Sequence, residues 1–300
     1  MIVFFAIISG TVHIPLHELF FKENRQIVIL RILRLFLAMS TGSGLAVSGI
    51  ALQAVLRNPL AEPYLLGTSS GAGLSAVLAI LAGLGMIYVP IAAFIGAALS
   101  VVMVYFLAKQ GGRVQTESLI LSGVIVSVAL SAIMVFLISI FPDRNMHGIL
   151  WWLWGSLQVY DVKLLIVVSV SVLIGTTGIF VLSQDLNAIS LGDEEAVHLG
   201  VKTETAKKII FALSTLITSS VVCVAGIIGF VGLIVPHIMR LIVGPNHKIL
   251  IPASCVAGAA FMIISDVIAR SIFPPLEIPI GVITALIGAP VFVFLLKRNP

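Results

Sequence analysis

Residues 71–76, GAGLSA, have the spacing G-x-G-x-x-A of a dinucleotide-binding loop, in which glycines let backbone approach a pyrophosphate. Such a loop needs a strand before it, inside a βαβ unit. Here the preceding residues form a proline-broken turn between apolar runs. Small residues for close helix packing are the better reading, as for Gly42, Gly44, Ser48 and Gly49. No G-x-x-x-x-G-K-[ST] occurs, so the chain carries no phosphate loop for ATP. The six histidines, His13, His17, His147, His198, His237 and His247, show no H-E-x-x-H or other metal-ligand spacing. Cys223 and Cys255 both lie in apolar runs and read as small buried hydrophobes. No nucleophile–base–orienter arrangement can be argued. Asp266 and Arg270, spaced i, i+4 near the end of an apolar helix, read as a mutually neutralising pair. Glu62, Glu117 and Glu277 fall at helix ends, which leaves too few mid-span acids for a proton relay.

What remains is a charged turn, RNPLAEPYLLGTSSGAG at 57–73, set between long uncharged stretches. The surrounding elements explain it. The chain has 300 residues, 59% hydrophobic and 10% charged, where soluble domains carry about 25% charged residues. A soluble fold of this composition would expose large apolar patches and aggregate. The chain is therefore an all-α polytopic membrane protein, surrounded by lipid. Its net charge of +4 fits Lys and Arg retained on the cytoplasmic side, not nucleic-acid binding.

A membrane span needs about 20 apolar residues. Uncharged intervals run 35–56, 63–108, 118–142, 164–184, 209–239, 249–265 and 278–296. The 63–108 interval holds two helices, with a turn near Gly83–Pro90. The 209–239 interval is one long helix or two broken at Gly226–Gly229. The run 1–12 is too short to span alone and reads as a first helix lacking its beginning. Together these give nine or ten spans in one transmembrane domain over 1–300. With ten spans and a cytoplasmic N-terminus, ten of the 17 Lys and Arg fall inside and seven outside. Arg31, Arg34 and Arg270 spoil an otherwise cleaner bias. The turn at 57–60 then lies at the cytoplasmic face, since lipid tolerates irregular backbone only where it meets water or protein.

The segment 182–209 holds eight of the chain's thirty charges. Ser190 to Glu195 reads as a helix start with acids in its first turn, Gly200 as its end, and Thr203 as the next start. A short helix in a cytoplasmic connector, 184–205, suits docking onto a soluble partner or is a solvated link. AVSGIALQAVLRNPLAEPYLLG (46–67) can be laid without gaps over 223–244, which suggests an internal repeat.

Several segments together resemble a known family. They are Arg31-Ile32-Leu33-Arg34, SGIALQAVLRNPLAEPYLLGTSSGAG (48–73), WWLWGSL (151–157), LGDEEAVHLGV (191–201), GFVGLIVPHIMRLIVGPNHKILIP (229–252) and EIPIGVITALIGAPVF (277–292). They resemble the FecCD permeases of type II ABC importers for iron-siderophores, haem and cobalamin, across nearly the whole chain. The resemblance implies ten helices and a homodimer around one pathway. It implies two separate ATPase subunits that use the ATP, a soluble binding protein outside, and no cofactor on this chain. It implies that Asn58, Pro59 and Leu60 form one cytoplasmic gate and that Thr116 and Glu117 belong to a second. It implies that Leu191, Gly192, Glu194, Glu195, Ala196, Leu199 and Gly200 couple to the ATPase. Arg31, Arg34 and Arg270 match outward-facing arginines that pair with acids of the binding protein. The chain departs from the family in its shorter N-terminus and in Leu33, where proline is usual. A plasma-membrane importer of ferric siderophores or a related chelate is the expected function. The competing class is an ion- or proton-coupled secondary transporter.

Overall fold

In the computed structural model, residues 6, 24–110, 113–141, 146–159 and 161–298 are described. The run 1–12, read from sequence as an incomplete first helix, lies outside the described residues apart from Ala6. The described chain is predominantly helical. Six helices are long and apolar enough to cross a membrane: α1 (Arg25–Val55), α3 (Tyr88–Ala108), α4 (Thr116–Ile140), α6 (Val162–Val181), α9 (Thr203–Ala225) and α11 (His247–Ser271). Three shorter apolar helices accompany them: α2 (Thr68–Leu81), α10 (Val231–Val243) and α12 (Ile280–Arg298). Among the described residues these nine account for the spans expected after the first. The remaining helices are α5 (Met146–Leu153), α7 (Ser183–Leu191) and α8 (Asp193–His198), with a hairpin of two-residue strands, Lys109–Gln110 and Arg113–Val114, before α4.

The centre of the bundle is α1, which packs against α6, α9, α10 and α11. From Leu37 onward most of its residues are buried. Small residues make this possible. A Cβ placed on Gly42 would lie 2.1 Å from the Gly258 carbonyl oxygen, and one on Gly49 would lie 1.9 Å from that of Gly232. Helix association in lipid has no hydrophobic drive, so backbone approach of this kind supplies the packing. The pair Ser48–Thr218, with hydroxyls 3.2 Å apart, links α1 to α9 at the same level.

Two breaks shape the interior. After the turn at 57–60 the chain runs through Glu62 into a 3-10 turn, Pro63–Leu66, and then through Gly67, whose φ is +80°, into α2 at Thr68. After α9 it bends through Gly226 (φ +71°) to Phe230 (φ +71°) and starts α10. The 209–239 interval is thus two helices, broken at the glycines. The match of 46–67 to 223–244 is not a structural repeat. Residues 46–55 are helix where 226–230 are the break, and Pro59 sits in a turn whereas Pro236 lies inside α10. The identities are common membrane residues, which recur without shared geometry.

WWLWGSL, 151–157, fills the space between these parts. The carbonyls of Gly155 and Trp154 accept from the N–H groups of Ile280 and Gly281, at 3.2 and 3.1 Å. Helix α12 therefore starts on backbone acceptors that satisfy its orphan donors. Ser156 N–H donates to Ala225 at the end of α9, 2.9 Å away.

Candidate functional site: the turn at 57–60, the 184–205 segment and a buried ion network

Helix α1 ends in a defined turn. Arg57 adopts φ +46°, and the N–H of Asn58 donates back to Gln53 at 3.1 Å. The Asn58 side chain accepts from Leu60 N–H at 2.9 Å, and its carbonyl accepts from Ala61 N–H at 3.0 Å. Asparagine suits this place because its side chain can close a turn two residues on. Proline at 59 pre-sets the backbone. Pro59 and Leu60 are left exposed, Leu60 at 49%.

The limb leaving this turn is tied to the second break. Glu62 Oε1 accepts from Phe230 N–H at 2.7 Å, and the Tyr64 hydroxyl accepts from Ile228 N–H at 3.3 Å. The buried Gln53 donates to Ala61 and Gly232 carbonyls and accepts from Arg240 Nη2 at 3.1 Å. A carboxylate at the start of α10 is favoured by the helix dipole. Glu62, Gln53 and Arg240 are functional candidates that the sequence reading did not select. Gln53 was detectable as a lone amide in an uncharged run. The partners of Glu62 lie 168 residues away, beyond any local signal.

Thr116 and Glu117 occupy the first turn of α4, with Thr116 half-buried and Glu117 exposed. Helix α4 packs along the 3-10 turn, where Gly123 meets the Leu65 carbonyl, and Ser131 lies 3.1 Å from Ser70. Both chains rise together from that contact, so Thr116 and the turn at 57–60 sit towards the same membrane face.

The segment 184–205, expected to couple to a partner, holds two helices rather than one. Helix α7 ends at Leu191, Gly192 takes φ +148°, and α8 follows. A side chain at 192 would strike the Glu195 carboxylate. At the other end, Leu199 N–H donates to Glu195 and Val201 N–H donates to Ala196, with Gly200 at φ +86°. This is the glycine-ended stop expected at that position. Ala196 is fully buried, whereas Leu191 (69% exposed), Glu194, Glu195, Val197 and Leu199 (66% exposed) form an open face, apolar and acidic. Asp193 pins α8 to α9 through Lys207 Nζ at 2.6 Å. Asn187 fastens α7 to the start of α11, accepting from His247 N–H at 2.9 Å and lying 2.7 Å from its Nδ1.

A cavity of about 610 Å³ joins these parts, lined by Arg57, Asn58 and Pro59, by Leu191 of α7, and by Arg240 and His247. The structure thus brings the turn at 57–59 and the end of α7 to one hollow.

The three arginines, matched by resemblance to outward-facing docking charges, are not free charges in the single chain. Arg31 is 7% and Arg270 5% exposed. Arg34 Nε lies 2.7 Å from Asp266 Oδ1 and its Nη1 2.9 Å from Glu277 Oε2. Arg270 Nε lies 3.0 Å from Asp266 Oδ2, and its Nη2 donates to Ala6. The reason is that Asp266 and Glu277 need neutralising partners in a dry interior. This pairing also explains the weak charge bias, since Arg34 and Arg270 are neutralised within the chain. Arg34→Met is expected to lower stability by about 3 kcal/mol, the scale for removing one partner of a buried pair. Arg34→Lys should lose less, because charge remains though the planar fork does not. Thermal unfolding of the purified variants checks this, and equal midpoints would dismiss it.

Residues 1–298 match the FecCD transport family. The chain belongs to that family. A cobalamin import system permease of Halobacterium salinarum is 40% identical over 281 residues, 92% of this chain and 74% of that one. An Fe(3+)-citrate import system permease of Bacillus subtilis is 40% identical over 89% of this chain and 80% of its own length. A hemin transport system permease of Yersinia pestis is 36% identical over 90% and 82%. A solved metal-chelate type ABC transporter, in an inward-facing conformation, superposes with a TM-score of 0.90 at 33% identity, over 99% of this chain and 96% of that one. This FecCD protein is accordingly a multi-pass cell-membrane permease of an ABC importer.

Proposed function

We propose that this FecCD permease imports a ferric siderophore or related metal chelate, driven by ATP hydrolysis in two separate subunits that dock on α8. The observation that carries the reading is the open acidic and apolar face of α8, a helix pinned by Asp193–Lys207 that directly follows α7, whose Leu191 lines one cavity with the turn at 57–59. In this reading the coupling residues Leu191, Gly192, Glu194, Glu195, Ala196, Leu199 and Gly200 receive the ATPase movement. Asn58, Pro59 and Leu60, with Thr116 and Glu117, open and close the cytoplasmic end of the path. In the same reading a binding protein delivers cargo near Arg31, Arg34 and Arg270, and the chain needs no cofactor of its own. A homodimer is supported by α4, only 11% of whose apolar window is buried within one chain. The cargo class is supported by the relatives, whose names include cobalamin, ferric citrate and hemin.

The test is uptake into proteoliposomes holding the permease, its ATPase subunits and binding protein. Uptake should stop when the ATPase is inactivated and persist when an uncoupler is added at constant ATP. Uptake that survives ATPase inactivation, or that collapses with the uncoupler alone, would replace this reading with ion-coupled transport.

A further inference from the structure

A second cavity, of about 630 Å³, opens on the flank of the bundle between α3 and α9. Its wall is apolar and aromatic, with Phe94, Phe106, Phe211 and Leu216 among the lining residues. Phe106 is 66% exposed in the single chain. One end carries two cations. Lys109 follows the last turn of α3, and Lys208 lies in the first turns of α9. Both are exposed. The neighbouring Lys207 is buried against Asp193, but neither Lys109 nor Lys208 has an ion-pair partner among the described residues.

The dimensions fit lipid. From Lys208 to Ser219 the helix climbs about 16 Å at 1.5 Å per residue. One leaflet of hydrocarbon is about 15 Å deep, half of the usual core. The lysines therefore mark the level of the cytoplasmic headgroups, and the aromatic wall spans the acyl region beneath. No acid lines this cavity. The two lysines thus call for an anion from outside the chain, and a phosphodiester would satisfy them.

We infer that this groove is a binding site for an anionic phospholipid, one acyl chain lying between α3 and α9 and the phosphate held between Lys109 and Lys208. Basic pockets between spans on the cytoplasmic side recognise such headgroups. The site adjoins the coupling helix, because the turn of α9 that carries Lys208 also carries Lys207, the anchor of α8.

The full chain would be reconstituted in nanodiscs of mixed phosphatidylcholine and phosphatidylglycerol, extracted gently, and weighed with its retained lipid by native mass spectrometry. The unaltered chain should retain phosphatidylglycerol over phosphatidylcholine. The double variant Lys109→Gln/Lys208→Gln should lose that preference on the order of tenfold, given the usual attraction of a surface lysine for anionic lipid. Lys202→Gln/Lys248→Gln, which removes two exposed cytoplasmic lysines away from the groove, should keep it. Ala98→Trp, filling the groove, should lower retention of both lipids. Should Ala98→Trp fail to fold, the lysine pairs decide alone, since their side chains are exposed. Unchanged preference in the first double variant, or equal loss in both, overturns the site. So does a disulfide between two copies through Val102→Cys, with Cys223 and Cys255 replaced by alanine, because a second protomer would then fill the groove.

Discussion

Gly42→Leu is expected to abolish recovery of folded protein. At this position α1 and α11 cross with their backbones in contact. A Cβ on Gly42 would lie 2.1 Å from the Gly258 carbonyl oxygen, and one on Gly258 would lie 2.3 Å from that of Gly42. Neither obstacle is a flexible side-chain tip, so the two helices must move apart. Overpacking a core by added methylenes costs about 1–3 kcal/mol when side chains can adjust. Here the separation would spread along α1, which packs on four other spans. The loss therefore exceeds that range. Gly42→Ala should leave a folded protein with a clearly lower unfolding temperature. Gly148→Ala should not lower stability, since among the described residues no atom lies within 4 Å of its added carbon and alanine favours a helix. Size-exclusion profiles and thermal scans of the three variants give the answer. A monodisperse, stable Gly42→Leu protein would show that the crossing tolerates separation.

Val197→Asp combined with Leu199→Asp is expected to cut ATP-driven uptake at least tenfold without unfolding the permease. The two side chains are 57% and 66% exposed, so little internal packing is lost. Their replacement adds two carboxylates beside Glu194 and Glu195, on the face assigned to the ATPase. A docked helix must desolvate that face, and extra unpaired charges there are costly. A tenfold change corresponds to about 1.4 kcal/mol, well within reach of two buried carboxylates. Ala196→Asp is the contrasting case, because Ala196 is fully buried and its substitution should damage the fold itself. The measurements are co-purification with the ATPase subunits, uptake into proteoliposomes, and the unfolding temperature. Normal uptake by the double variant would remove α8 from the coupling role.

Much of this architecture is legible in the order of residues. Uncharged intervals place the spans because charges are excluded from lipid. Gly226–Gly229 marks the break after α9, and Gly83–Pro90 falls at the connection between α2 and α3. Gly192 and Gly200 frame α8 because each needs a backbone conformation that other residues rarely adopt. The failures share a physical cause, which is distance along the chain. Arg34 meets Asp266 and Glu277 across 232 and 243 residues. From sequence, only the local Asp266–Arg270 pair could be seen, so arginines with internal partners resembled free surface charges. Glu62 resembled an ordinary helix-end acid until Phe230 was placed against it. The apparent repeat misled because glycine, valine and isoleucine recur in any membrane helix.

The bonds from Gln53, Glu62 and Tyr64 to the start of α10 have a kinematic consequence. They join the end of α1, the limb at 61–64 and the first turn of α10 into one body. The chain contains two breaks, yet they do not supply two independent hinges. Any rotation of α10 must carry both the limb and the end of α1 with it, and the turn at 57–60 is clamped on both sides. Motion at this end of the molecule thus has few degrees of freedom, and a small push at one anchor is not dissipated in the other.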